Sequence, residues 1–296
     1  MRIAVLGAGA IGSLIAAKLV EAGYDVLVHA RGEHGAVLAL YGLEVTGNWN
    51  VSISPDDWTV SLDGAGIHSS LENTCDQVII TSKSKDTLEL VKLASFLSSG
   101  PVLSLQNGLG NLEILTECVF ENAAVGVTTN AVTRVKPGHV EWVGKGDLYL
   151  GGPKGKEFVK TLASLDASFV DDVSSILWNK LLLNVAINPL AAICGVKNGE
   201  LRKEPLLSQA ESTMIEAANV ARILGVKIDD DHELISRLHS VLDSTAENIC
   251  SMLVDVKSGR ETEIDMLCGQ IVSRGEKIGI PTPLNSMLLS QIKALR

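Results

Sequence analysis

The spacing of apolar and polar positions changes character along this chain. Through about residue 150, short and nearly unbroken apolar runs alternate with helix-like segments; from about Ser174, apolar residues recur at helical spacing and strand-like runs almost vanish. The first texture predicts buried strands over residues 2–6, 25–29, 77–81, 102–105 and 124–128, with helices over 13–22 and 84–98, the pattern of a parallel sheet flanked by helices. From about Ala131 the runs shorten. Strands over 132–135, 139–143 and 147–150, separated by Lys136-Pro137-Gly138 and Gly144-Lys145-Gly146, predict an antiparallel extension. Residues 55–76 carry no pattern that assigns an element. The second texture predicts helices over 176–192, 205–224, 231–256, 262–278 and 283–295, with Gly225, Gly259 and Gly279 as stops. The expected organisation is an α/β N-terminal domain over 1–173 and an all-α C-terminal domain over 174–296.

Chemistry enters at the end of the first strand. Gly7-Ala8-Gly9-Ala10-Ile11-Gly12 sits between that strand and an apolar-periodic helix, which is where a dinucleotide fingerprint has to stand. Gly7 permits the tight strand-to-helix turn, Gly9 leaves room for a pyrophosphate against the backbone, and Gly12 lets helix and strand pack closely. The first-turn N–H groups and the positive end of the helix dipole then face the phosphates. This makes the first domain a Rossmann-type dinucleotide-binding domain. At the tip of the second strand, His29-Ala30-Arg31-Gly32 holds no carboxylate to receive a ribose 2′-hydroxyl. Arg31 offers a guanidinium fork suited to a 2′-phosphate, so the expected cofactor is NADP(H), with Glu33 leaving room for NAD(H).

Composition narrows the class further. A net charge of −10 argues against general polyanion binding, and no nucleic-acid partner is expected. Five scattered cysteines, without a C-x-x-C pair, indicate neither a zinc site nor a secreted disulfide framework, so no metal is expected and a cytoplasmic location is the default. The apolar start of the chain superficially resembles a signal peptide, but the embedded glycines and Lys18 fit strand, turn and helix better. The apolar stretch 181–196 is interrupted by Asn184, Asn188 and Pro189 and reads as too short to span a bilayer, so no membrane segment is expected.

Polar residues on apolar helices supply the second signal. Lys180, Asn184 and Asn188 recur at four-residue spacing among Leu177, Trp178, Leu181, Leu182, Val185 and Ile187, and so share one helical face, which suggests a lined cleft. Pro189 predicts a kink or an end at Asn188. The alternative is a snorkelling lysine and a capping asparagine. Ser244, Asn248, Ser251 and Asp255 are expected on one face of the 231–256 helix, as neutral donors for a carboxylate or hydroxyl or simply as a solvated face. Glu263 follows Thr262, an N-cap candidate, and either complements a helix dipole or faces a cation. Asn107-Gly108 follows an apolar strand at the edge where open sheets bind ligands, or is only a turn.

Taken in order, these pieces resemble the ketopantoate reductase (2-dehydropantoate 2-reductase) family over nearly the whole chain. The resemblance rests on Gly7-Ala8-Gly9-Ala10-Ile11-Gly12-Ser13, Arg31, Thr81-Ser82-Lys83, Gln106-Asn107-Gly108, Trp178-Asn179-Lys180-Leu181 with Asn184, Asn188-Pro189-Leu190, Asn198-Gly199-Glu200-Leu201, and Ala246-Glu247-Asn248 through Ser251-Met252-Leu253 to Thr262-Glu263-Ile264-Asp265. It implies NADPH-dependent reduction of 2-dehydropantoate to (R)-pantoate, feeding pantothenate and coenzyme A synthesis. Lys180 is implied as general acid and Glu263 as the residue that holds or tunes it and meets substrate. Asn107 and Lys83 are implied on the cofactor side, Arg31 at the 2′-phosphate, and Asn107, Asn184, Asn188, Asn198, Asn248 and Ser251 around the substrate. The implied partner is a small-molecule 2-oxo acid, and a homodimer is left open.

Three positions depart from the family's habit: Ser84-Lys85-Asp86 replaces an aromatic and Gln, Ala191 stands where Thr is frequent, and Cys250 replaces a common Ser. None removes an implied catalytic residue. They leave open another branched 2-oxo acid on the same fold, and beside it a non-catalytic NADP-binding sensor.

Overall fold

The structure, a computed structural model, describes residues 1–62, 69–83 and 87–295. It divides into two compact units, residues 1–107 with 111–173, and residues 108–110 with 174–296.

The strands of the first unit are β1 (Arg2–Leu6), β2 (Asp25–Ala30), β3 (Leu43–Gly47), β4 (Val51–Ile53), β5 (Thr59–Leu62), β6 (Gln77–Ile80), β7 (Val102–Ser104), β8 (Ala123–Thr128), β9 (Ala131–Lys136), β10 (His139–Gly144), β11 (Leu148–Gly151) and β12 (Ala167–Phe169). An eight-stranded sheet runs β12-β11-β8-β7-β6-β1-β2-β5. Every pair in it is parallel except β8 with β11. Alternation along β1 builds a layer on each face: Ile3 and Val5 join a core that includes Leu14, Ile15 and Leu19 of α1 (Ala10–Glu21), while Ala4 and Leu6 join Leu90, Val91 and Leu97 of α3 (Thr87–Leu97). The helix expected over 84–98 is α3; residues 84–86, including the departure at Ser84-Lys85-Asp86, lie outside the described residues. Between these helices stands α2 (Gly32–Tyr41), and α4 (Asn111–Val119) and α5 (Gly155–Thr161) complete the unit.

Two expectations about this unit need correction. Part of the unassigned segment is β5, which pairs with β2 and makes one edge of the sheet. The predicted antiparallel extension is divided: only β11 returns to the main sheet, while the β9–β10 hairpin belongs to a separate four-stranded sheet of order β4-β3-β10-β9. There β10 lies parallel to β3, with His139 opposite Glu44, a long-range pairing that no local pattern announces. Val45, Val140 and Trp142 of this small sheet face the same core as α1. Lys18 of α1 is 9% exposed; its Nζ lies 3.3 Å from the Trp49 ring centroid and 3.0 Å from Glu21, a cation–π contact and an ion pair that offset the burial of its charge.

The helical unit comprises α6 (Val173–Cys194), whose first residue closes the preceding unit, then α7 (Leu206–Ile223), α8 (Asp231–Ser244), α9 (Ser251–Lys257), α10 (Cys268–Ile278) and α11 (Pro283–Ala294). With 22 residues, α6 is long and apolar enough to cross a membrane, which corrects the length argument made from sequence. More than half of its apolar window is nevertheless buried, and Leu181, Leu182, Val185, Ala186 and Leu190 sit at the heart of the helical core. Pro189 neither ends nor interrupts α6. The missing N–H removes one helical hydrogen bond, but Val185, Ala186 and Ile187 before it and Leu190, Ala191 and Ala192 after it are all buried, and their packing outweighs a cost of about 3 kcal/mol.

The helix expected over 231–256 is two helices. At the break, Thr245 Oγ1 donates back to the Val241 carbonyl at 2.6 Å, and the carbonyls of Ala246 and Asn248 accept from Gly199 N at 3.1 Å and Asn198 N at 3.0 Å. These carbonyls serve the 3₁₀ turn Asn198–Arg202 instead of a continuing helix. The Cys250 thiol then caps α9 by accepting from Leu253 N. Thr262 likewise caps nothing: the next helical turn is a short 3₁₀ segment, Ile264–Met266, preceded by Glu263.

Candidate active site

The sheet-containing unit gathers one set of residues by topology alone. β2, β1, β6 and β7 are adjacent and parallel, so their carboxyl ends share one edge of the sheet. Gly7 follows β1, Arg31 follows β2, Lys83 comes shortly after β6, and Asn107 shortly after β7.

The glycine turn is tightly specified. Gly7 N and Ala8 N donate to the His29 carbonyl at 3.0 and 3.2 Å, and Thr81 Oγ1 donates to the Gly7 carbonyl at 2.7 Å. Gly7 has φ +102°, and a Cβ there would lie 2.5 Å from Ser82 N. A Cβ on Gly12 would lie 2.3 Å from the Gly7 carbonyl oxygen, so close helix–strand packing demands glycine. Gly9 differs from both. Its φ of −74° suits any residue, and a Cβ there would meet no atom of the described residues within 4 Å.

Among the described residues no protein contact requires a glycine at position 9. Ala10, Ile11 and Gly12 open α1, whose first turn has no side-chain cap and no acidic residue. A dinucleotide pyrophosphate fits these donors and this open space. Arg31 is exposed and stands as N-cap residue of α2 with extended backbone, without a side-chain cap hydrogen bond. Lys83 is half-buried.

Asn107 is held by residues that sequence reasoning left without a role. Ser104 Oγ donates to Gln106 Oε1 at 3.0 Å, Gln106 Nε2 to Thr87 Oγ1 at 2.9 Å, Thr87 Oγ1 to Asn111 Oδ1 at 3.2 Å, and Asn111 Nδ2 to the Asn107 carbonyl at 3.1 Å. All four relay residues are buried. Such a satisfied polar network is rigid, and it pins the backbone at Asn107. The available signal was the set of polar residues directly after an apolar strand and at two helix starts.

The helical unit gathers a second set. Lys180, Asn184 and Asn188 occupy one face of α6, all half-buried. Burial pushes the Lys180 ammonium down from its ordinary value to about 8, with the Glu263 carboxylate opposing part of that shift. Glu263, 83 positions away in sequence, thus lies near enough for its charge to favour the protonated lysine. Asn198 is buried; its N–H reaches the Asn248 carbonyl and its Nδ2 donates to Thr245 Oγ1 at 3.0 Å. The Cys250 thiol donates to the Asn188 carbonyl at 3.6 Å, which joins the end of the α6 stripe to the start of α9.

The predicted stripe of Ser244, Asn248, Ser251 and Asp255 does not exist as one face. Ser244 closes α8, Asn248 lies in the break, Ser251 opens α9, and Asp255 is buried and paired with Arg260 at 3.1 Å. Asn248 and Ser251 are both exposed, separated by the Cys250 cap. Buried Asn179 Oδ1 and Thr262 Oγ1, beside Lys180 and Glu263 in sequence, have no hydrogen-bond partner among the described residues. Among the described residues, no group of three or more His, Cys, Asp or Glu side chains is arranged to hold a metal ion.

Chemically, the arrangement offers a glycine turn leading into an uncapped helix start and, in the helical unit, a desolvated ammonium whose charged form a carboxylate favours, on a helix that also carries Asn184 and Asn188. Comparison with known proteins gives these features a context. Residues 3–155 match the sequence model of the family described as ketopantoate reductase PanE/ApbA, and residues 172–296 match that of its C-terminal domain. A 2-dehydropantoate 2-reductase of Archaeoglobus fulgidus is 35% identical, with 99% of this chain and 97% of the relative covered. The crystal structure of a PanE/ApbA family ketopantoate reductase from Ralstonia eutropha JMP134 is similar with a TM-score of 0.89 and 31% identity, over 100% of this chain and 98% of that one. A D-mandelate dehydrogenase solved with NADH and anilino(oxo)acetate is similar at a TM-score of 0.90 and 27% identity, again over 100% and 98% of the two chains.

Proposed function

Because this chain belongs to the ketopantoate reductase family, we propose that it reduces 2-dehydropantoate to (R)-pantoate with NADPH, a step toward pantothenate and coenzyme A. The observation that carries the reading is the Lys180–Glu263 pair. Reducing a ketone needs a proton donor matched to an incipient alkoxide, and an ammonium brought to about 8 by burial is such a donor near neutral pH. Lys180 stabilises the developing oxyanion by its charge and then surrenders its proton to it. Glu263 keeps that ammonium protonated and engages the substrate. Asn184, Asn188, Asn198, Asn248 and Ser251 serve the carboxylate and hydroxyl as neutral donors.

The glycine turn, of which Ala8 is part, and the first-turn amides of Ala10, Ile11 and Gly12 hold the pyrophosphate, Lys83 and Asn107 the nicotinamide side, and Arg31 the 2′-phosphate. When bound, the reduced nicotinamide supplies the hydride. The sheet-containing unit is thus the cofactor domain and the helical unit the catalytic domain. The same reading makes the protein a cytoplasmic enzyme of small-molecule metabolism, supported by the use of α6 as a core helix.

The test is NADPH consumption with 2-dehydropantoate beside the same assay with 2-oxoisovalerate. A kcat/KM at least about tenfold higher for 2-dehydropantoate is expected, because amides arranged for its hydroxyl go unpaired on the analogue. Preference for 2-oxoisovalerate assigns another 2-oxo acid, and binding of NADPH without turnover on either assigns a sensor. In the same assay, Arg31→Ser should lower kcat/KM for NADPH by about tenfold or more and leave that for NADH nearly unchanged.

A further inference from the structure

His34 is a buried titratable residue in the first turn of α2, and the reaction has no use for it. Its ring bridges three elements. Nδ1 accepts from Gly138 N at 2.9 Å, in the tight turn between β9 and β10, and Nε2 lies 3.1 Å from Ser13 Oγ, in the first turns of α1. Ser13 Oγ in turn lies 3.4 Å from the Ala8 carbonyl, inside the glycine turn. The proton positions follow from the donors. Because a backbone N–H points at Nδ1, the neutral ring carries its hydrogen on Nε2; that hydrogen goes to Ser13 Oγ, and the hydroxyl hydrogen goes on to the Ala8 carbonyl. Burial, helped by the positive charge of Arg134, pushes His34 down to about 4, so the neutral ring is the form present at neutral pH. Space is equally constrained: a Cβ on Gly138 would lie 2.4 Å from Val37 Cγ1 of α2.

The consequence concerns spacing. The relay starts three residues after Arg31 and ends on the turn that cradles the pyrophosphate. We propose that His34 is a positioning residue that locks the Arg31 end of α2 to the glycine turn, and thereby sets the preference for a 2′-phosphorylated dinucleotide over an unphosphorylated one. This rests on the reading of Arg31 as the 2′-phosphate partner. Phosphate in the turn is common to both dinucleotides; only the 2′-phosphorylated one requires two anchor points at a fixed separation.

The experiment titrates NADPH and NADH into the full-length protein by cofactor fluorescence at neutral pH, with thermal melts in parallel. His34→Asn keeps an acceptor for Gly138 N–H but is too short to reach Ser13. His34→Gln restores a donor toward Ser13. Ser13→Ala removes the bridge with little change of volume. His34→Asn and Ser13→Ala should each weaken NADPH about tenfold and NADH no more than about twofold, and His34→Gln should recover most of the loss. Equal weakening of both dinucleotides, or no weakening in either His34→Asn or Ser13→Ala, overturns the proposal while leaving the Arg31 reading intact. Equal affinity of the unmodified protein for NADPH and NADH overturns the Arg31 reading and the proposal with it.

Discussion

The sheet-containing unit and the helical unit present functional groups of opposite kinds. In the first, the proposed site is mostly backbone: a glycine turn between β1 and α1, first-turn amides, and residues delivered by neighbouring parallel strand ends. Its geometry admits no side chain at Gly7 or Gly12, and the proposed site uses the open space at Gly9. In the second, the proposed site is made of side chains, and its central group, Lys180, has its ammonium destabilised by burial on a helix that otherwise supplies the core. Backbone sites are built from contiguous residues, because the turn itself is the binding surface. Side-chain sites are assembled from distant residues whose properties exist only after packing.

The largest expected effect divides the two units by kinetic parameter. Lys180→Ala should lower kcat by about 10² or more, because the proton donor is gone, while the Kd for NADPH stays within about twofold. Single-turnover rates and fluorescence titration separate the two. A kcat near that of the unmodified enzyme would remove Lys180 from the chemistry, and a large rise in Kd would break the division between binding and catalytic units.

The next effect runs within the glycine turn. Gly9→Ala adds a methyl group where no atom of the described residues lies within 4 Å, so the melting temperature should hold while the Kd for NADPH rises about tenfold or more. Gly12→Ala drives its methyl group into the Gly7 carbonyl, 2.3 Å away, and should cost about 1–3 kcal/mol of stability. If both variants lose stability and binding in proportion, Gly9 is structural and the open space beside it is not the cofactor's.

This difference also explains what could be read from the chain. The strand–turn–helix over β1 and α1 was legible because strand period, glycine spacing and helix period are all local. The small sheet was not, since β3 meets β10 across about a third of the chain, and the local pattern that marked a strand over 139–143 says nothing of that partner. In the helical unit, the four-residue recurrence of Lys180, Asn184 and Asn188 exposed a polar face, yet Pro189 misled, because propensity was weighed without the burial on both its sides. The break at 245–250 was illegible for a related reason: its carbonyls are claimed by Asn198 and Gly199, nearly 50 residues away, and helical periodicity continues across it. Asn248 and Ser251 thus belong to a turn and a helix start, and a one-face argument for them was the wrong geometry. The Lys180–Glu263 pairing could be suspected from residue type, but partnership needs the fold.

Glu263→Gln makes the finest cut, because it alters the lysine's charge balance without removing the lysine. Lys180 sits near 8 because burial lowers it and Glu263 raises it, burial being the larger influence. A general acid must be protonated, so the rate of ketone reduction should fall as pH rises through about 8. Neutralising Glu263 removes the influence that favours the ammonium, and the alkaline limb of kcat should move to lower pH, by about half a unit to one unit. At pH 6.5 the variant retains a protonated lysine and loses only what Glu263 contributes to substrate contact, which appears in KM; toward pH 8 the kcat deficit widens. A limb that stays in place, with kcat reduced equally at every pH, would mean that Glu263 acts on the substrate and leaves the proton donor untouched. A limb that moves to higher pH would contradict the sign of the interaction, and with it the idea that the helical unit tunes its chemistry through the charge of Glu263.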